Sequence, residues 1–191
     1  MYYDTKPSVP SFISTMEAHG IRCELLSQEE FNTRFYRLSS SFTDSHHDVA
    51  AGVFYYTKKV TVKDMTHEIG HLVCWDLIGR PQYNNFGLDR GRSFGVDLEC
   101  RNLVTQFAGS VDETFGSNVD YNEVAACAVE AAINCQHRGR RAAADQMRTQ
   151  EYTDPTHHQK RLKTSAVVDG MLIIGEALIE AHRQRRAATA T

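Results

Sequence analysis

The segment Asp64-Met65-Thr66-His67-Glu68-Ile69-Gly70-His71-Leu72-Val73-Cys74-Trp75-Asp76-Leu77-Ile78-Gly79 sets an apolar stripe beside two histidines. Met65, Ile69, Leu72 and Val73 recur at helical intervals. Asp64 reads as an N-cap, Gly79 as the stop, and Pro81 follows just beyond, which predicts a helix from Met65 to about Ile78. Within it, residues 67–71 read H-E-x-x-H. Four residues make about one helical turn, so the imidazoles of His67 and His71 leave the same face and can meet one metal ion. Glu68 projects about 100° around the helix, beside that ion. It is the expected general base, taking a proton from a metal-activated water and passing it to a leaving amine.

Upstream of this helix the sequence turns from helical to strand-like. Ser11–His19 predicts a short helix and Ile21–Leu26 a short strand. Ser27 and Glu30 have capping-box spacing ahead of Phe31, Phe35 and Leu38. Ser39–Asp48 is polar and reads as a loop. Val49–Tyr56 and Val60–Val62, separated by Thr57-Lys58-Lys59, predict a β-hairpin or two strands of a small sheet. Downstream, Arg80–Gly95 reads as a loop. Val96–Ala108 is a second helix, apolar at Leu98, Leu103, Val104 and Phe107. Asp120 and Glu123 form another capping-box pair, before an alanine-rich helix from Tyr121 to about His137. Arg138-Gly139-Arg140-Arg141 breaks or bends that segment. Asp154-Pro155 opens a last helix toward Arg186, with a kink expected at Gly170. Strands early and helices late give an α+β fold: a small β-sheet leading into the H-E-x-x-H helix, a second ligand-bearing helix and a helical C-terminal extension. The expected division is a core over residues 1–115 and a helical extension over 116–191 packed on it, with a single domain as the alternative.

Catalytic zinc usually has three protein ligands and one open position. The metzincin extension of the motif is excluded, because Cys74 and Leu77 stand where its Gly and His would be. Cys74, one turn past His71, reads as a small buried hydrophobe. The third ligand is expected on the second helix as Glu99, with Leu98, Leu103 and Phe107 defining the buried side. Asp97, about 160° away on that helix, reads as an N-cap. Asp76 and Asp89 are candidates to orient the histidines, though each reads as a surface group. One of His46, His47, His137, His157, His158, Tyr121 and Tyr152 is the expected source of an oxyanion donor, and the sequence does not choose among them.

With these residues the chain resembles the gluzincins, and within them the small intracellular metallopeptidases of the ImmA/IrrE type, over Tyr55–Ala108. The resemblance implies His67, His71 and Glu99 as ligands of one Zn2+ per chain, Glu68 as catalytic base, and a protein or peptide substrate. Asn85-Phe86-Gly87-Leu88 is also similar to a loop of uncharacterised bacteriophage proteins with a related core. The alternative function is a catalytically silent regulatory or host-interaction protein that keeps this scaffold and acts by binding.

Composition narrows the partners. The formal net charge of −3 predicts no strong pull toward nucleic acid or anionic membrane. Arg138, Arg140 and Arg141, with Arg183, Arg185 and Arg186, read as solvated helix ends suited to the helix dipole. The opening MYYDTKPSVPSF lacks the pattern of a secretory signal, and no apolar run has the length of a membrane span. Five cysteines, none in a C-x-x-C pair, predict reduced and mostly buried thiols in a cytoplasm rather than a disulfide framework.

Overall fold

A computed structural model describes residues 1–35, 44–48, 51–79, 99–106, 121–149, 151–152, 160–161 and 165–189. The fold is α+β, as expected. The chain forms two compact units, and their boundary falls inside the H-E-x-x-H helix, between Thr66 and His67. It does not follow the expected break at residue 115.

The first unit opens with a 3-10 turn, Tyr2–Asp4, and helix α1, Val9–Ala18. Ser8 and Ser11 cap α1 reciprocally. Strand β1, Arg22–Leu25, runs into α2, Gln28–Phe35. The Ser27–Glu30 capping box is present: the Glu30 amide donates to Ser27 Oγ at 3.2 Å and the Ser27 amide to Glu30 Oε2 at 2.9 Å. Strands β2, Ser45–Asp48, and β3, Val53–Tyr56, complete a sheet of order β1-β3-β2. β1 pairs parallel to β3, and β2 antiparallel.

Two expectations are corrected here. The partner of β3 is Ser45–Asp48, read from sequence as loop, and not Val60–Val62. His46 and His47 look polar in sequence, but their rings serve as packing surface, His46 lying 4.4 Å from Phe35 and His47 6.1 Å from Phe54. Val60–Val62 is unavailable as a strand because a reciprocal cap starts the next helix there. The Asp64 amide donates to Thr61 Oγ1, and the Thr61 amide and hydroxyl donate to Asp64 Oδ2. Helix α3 therefore spans Val62–Leu77, with Thr61 in the capping role assigned to Asp64.

Central strand β3 is buried on both faces. Val53 and Tyr55 meet Phe31 and Phe35, while Phe54 lies 4.8 Å from Phe12 of α1. The fully buried Tyr2 shares a 2.7 Å hydrogen bond with Thr66 Oγ1. Because the Thr66 hydroxyl donates to the Val62 carbonyl, Tyr2 is the donor. The unit thus holds the turn of α3 that precedes His67.

The second unit contains α3 from His67 onward, a helical stretch at residues 99–106, α4 (Tyr121–Arg138), α5 (Arg140–Thr149), a two-stranded pair of β4 (Glu151–Tyr152) with β5 (Lys160–Arg161), and α6 (Ser165–Thr189). Gly79, at φ +77, ends α3, and Gly139, at φ +86, separates α4 from α5, both as the sequence predicts. The last helix begins at Ser165 rather than at Asp154-Pro155, which lie outside the described residues, as does the Arg80–Gly95 loop. α6 continues through Gly170 without a break. No helix among the described residues is long and apolar enough to cross a membrane.

α4 is buried almost all round, and its alanines let neighbours come close. A Cβ on Gly175 of α6 would sit 2.9 Å from Ala132 Cβ and collide with the Ala128 backbone, whereas one on Gly170 would meet nothing within 4 Å. Gly170→Ala should therefore stabilise the protein by about 1 kcal/mol through helix propensity. Gly175→Ala should destabilise it by ~1–3 kcal/mol through overpacking. Urea unfolding of both variants checks the pair, and equal effects would contradict this packing.

Candidate metal centre

The H-E-x-x-H helix meets α4 at its glycine. A Cβ on Gly70 would lie 2.7 Å from Ala126 Cα and overlap the Ala126 carbonyl, so only glycine permits this backbone approach. On α4, Asn122 and Glu130 stand one turn to either side of Ala126, and Glu123 and Cys127 lie beside them on the same face. All of these groups belong to the second unit.

Three donor atoms converge. His67 Nε2 and His71 Nε2 are 3.2 Å apart. Glu123 reaches both: Oε2 is 3.2 Å from His67 Nε2, and Oε1 is 3.4 Å from His71 Nε2. His67, His71 and Glu123 could hold a metal ion. The Glu123 side chain is 45% exposed against 9% for His71, so the centre opens to solvent on its carboxylate side.

The outer nitrogens are also bonded, and their partners fix the tautomers. Trp75 Nε1–H, which can only donate, points at Asn122 Oδ1 at 3.1 Å. That atom accepts, so His71 Nδ1, 3.2 Å away, donates to it. Nε2 of a neutral His71 then carries the lone pair. His67 Nδ1 lies 3.3 Å from Oε2 of Glu130, whose side chain has no exposure. Donation to that carboxylate likewise leaves the His67 Nε2 lone pair facing the centre.

The charges are tightly coupled. Burial by itself would lower the pKa of His67, but hydrogen bonding to Cys127, Glu123 and Glu130 holds it well above the usual imidazole value. His71 is also raised, with burial opposed chiefly by the charge of Glu123. Burial works against ionisation of Glu123, yet His71 and His67 hold its carboxyl well below the usual range. Glu68, half-buried, adds a charge that acts on His71.

Other sequence candidates fall elsewhere. Glu99 is half-buried on the helical stretch 99–106 and joins none of the potential metal groups found among the described residues. Its buried neighbour Cys100 adjoins the site instead, Sγ lying 3.9 Å from Asn122 Oδ1. Cys74 is fully buried, and burial first, then Cys100, pushes its thiol well up. Asp76 bonds the buried His182 at 2.8 Å rather than either motif histidine. His137 is 14 residues along α4 from Glu123, about 21 Å away at 1.5 Å per residue, too far to act here. His46 and His47 belong to the first unit, and Tyr121 is buried with Arg101 over its ring. Asp89, Asp97, Asp120, His157 and His158 lie outside the described residues. The five cysteines are free, three of them buried.

Asn122, Glu123, Cys127 and Glu130 are functional candidates the sequence reading missed. Their signal was present: polar groups at i, i+1, i+5 and i+8 in a stretch, Asn122–Ile133, otherwise of Ala, Val and Ile. Glu123 was read as a capping partner for Asp120. Comparison with known proteins finds no matching family model, curated protein or solved structure.

The metal-free cluster has a calculable pH signature. Raised imidazoles contribute stability that is full below the unfolded histidine value and is lost as pH rises through their folded values. Depressed Glu123 contributes stability present above the unfolded carboxyl value and lost as pH falls through its folded value. Chelator-treated protein should therefore gain most from this cluster between the ordinary carboxyl and imidazole ranges. Thermal midpoints measured against pH should show this maximum, and Glu123→Gln should flatten it. An unchanged profile in that variant would refute the coupling.

Proposed function

We propose that this chain is a zinc-dependent metallopeptidase of gluzincin type. His67, His71 and Glu123 hold one Zn2+, and Glu68 is the general base. The third ligand is assigned to Glu123 in place of Glu99. One observation carries the reading: two imidazoles of fixed tautomer aim Nε2 at a single carboxylate, with separations of 3.2–3.4 Å. Tetrahedral zinc with ligands at 2.0–2.1 Å keeps its donors about 3.3 Å apart. Two imidazoles and one carboxylate suit zinc better than the all-oxygen preference of magnesium or calcium.

Zinc supplies Lewis acidity, bringing the pKa of water to about 7 and polarising a carbonyl. The chain supplies the proton transfers. Glu68 stands on the turn between the two histidines, outside the donor set, and takes a proton from the attacking water. The same carboxylic acid then delivers that proton to the leaving amine. Asn122 and Glu130 keep the histidines oriented throughout.

The rival reading is a binding protein on a silent scaffold, favoured by C-terminal helices that a minimal peptidase does not need. That support weakens, because α4 carries Glu123, Asn122 and Glu130.

Two experiments test the proposal. Glu123→Ala should lower zinc affinity by at least ~10-fold, while Glu99→Ala leaves it nearly unchanged, read by competition with a chromogenic chelator. The reverse ranking would return the ligand to Glu99. Glu68→Gln should fold, keep its zinc and lose peptide cleavage by ~10²-fold or more. Full biological activity in that zinc-loaded variant would make binding the function.

A further inference from the structure

The opposite edge of the His67 ring faces a second set of donors. Cys127 Sγ is 3.8 Å and Glu130 Oε2 is 3.3 Å from His67 Nδ1, and the three atoms lie within 4.8 Å of one another. Cys127 and Glu130 are three residues apart on α4 and so project from one face. An ion with sulfur at ~2.3 Å and nitrogen at ~2.0–2.1 Å in tetrahedral geometry holds those donors about 3.6 Å apart, and nitrogen and oxygen about 3.3 Å apart. The observed spacings match to within a few tenths of an ångström.

We propose that His67 Nδ1, Cys127 and Glu130 form a second metal site, selective for a thiophilic divalent transition ion. A thiolate donor favours zinc, cobalt or cadmium over magnesium and calcium. This site uses neither His71 nor Glu123, so it does not depend on the peptidase reading. It also explains the donor chemistry of that face. One hydrogen-bond acceptor is enough to orient an imidazole, yet Nδ1 of His67 has both a carboxylate and a sulfur beside it. A fully buried carboxylate is, moreover, most stable beside a cation.

Binding is a substitution of protons by metal. The ion displaces Sγ–H of Cys127, whose proton leaves to solvent, and Nδ1–H of His67, whose proton passes to Nε2 when the first site is empty and leaves to solvent when it is filled; no electron moves. With both sites filled, the His67 imidazole bridges two ions through Nε2 and Nδ1. Cys127 is 5% exposed, so the second ion is enclosed where the first faces solvent.

Cobalt(II) distinguishes the two sites, because a cobalt–thiolate bond adds a charge-transfer absorption in the near ultraviolet. Full-length protein is stripped with chelator, kept reduced and titrated with Co2+. Wild type should take up about two ions per chain, one with the thiolate band, and His71→Ala should keep about one with the band. Cys127→Ala should lose the band and one ion while keeping the other. Saturation of the wild type at one ion without the band overturns the second site and leaves the peptidase reading intact. A band that persists in Cys127→Ala also overturns it, since another cysteine is then the ligand. Should Cys127→Ala fail to fold, X-ray absorption of wild type carrying two zinc equivalents decides. A sulfur scatterer at ~2.3 Å supports the site and its absence refutes it.

Discussion

The contact of Gly70 with the backbone of Ala126 is the constraint on which the candidate centre depends. At ordinary helix-packing distance of 8–10 Å, side chains of intermediate length would interleave and the histidines would meet apolar neighbours. With glycine facing the alanine backbone, α3 and α4 come close enough for short polar side chains to reach across. The spacing along α4 then does the rest. Asn122 lies one turn before Ala126 and takes His71, while Glu130 lies one turn after it and takes His67. Glu123, offset around the helix, points between the two imidazoles. A larger residue at position 70 would remove the approach before any ligand was touched.

The same closeness gives the metal-free centre its electrostatic character. Two imidazole nitrogens 3.2 Å apart cannot both carry protons comfortably, and Glu123 between them favours retaining one. The centre is therefore a proton site as well as a candidate metal site. An incoming divalent ion would replace that proton and meet donors already aimed by Asn122 and Glu130. Little side-chain ordering remains for the moment of binding, since Trp75, Asn122 and the buried Glu130 already hold the rings in place.

How far this was legible in sequence differs by element. The H-E-x-x-H helix, its glycine stop, the Ser27–Glu30 cap, the break at Gly139 and the α+β order could all be read, because each rests on local chemistry within one or two turns. Strand β2 could not, because His46 and His47 look polar while their rings pack against Phe35 and Phe54. The N-terminus of α3 shifted by a turn because Thr61 and Asp64 both have capping chemistry, and sequence alone does not rank them. Glu123, the proposed third ligand, was missed for a different reason. A third ligand is set by which helix packs against the motif, and closeness along the chain made Glu99 look the nearer choice. The polar pattern of Asn122, Glu123, Cys127 and Glu130 pointed to α4, but its first acidic residue also satisfied a capping rule. The local explanation hid the tertiary one.

That pattern changes how the C-terminal half should be understood. Ala126 faces α3, while Ala128 and Ala132, on the other side of α4, receive α6 at Gly175. α4 is thus held between two glycine contacts on opposite faces. α6 also fixes the far end of α3. His182 bonds Asp76, and Arg185 donates to the Leu77 carbonyl at 3.0 Å, satisfying one of the acceptors that a helix end leaves open. Rotation of α4 by a small angle would move Glu123 away from the imidazoles, and α6 resists it from behind. The late helices are therefore the frame that fixes the distance between Glu123 and the motif histidines. In the proposed centre the H-E-x-x-H segment supplies two ligands and a base, and the third ligand comes from the part of the chain that looked like an appendage.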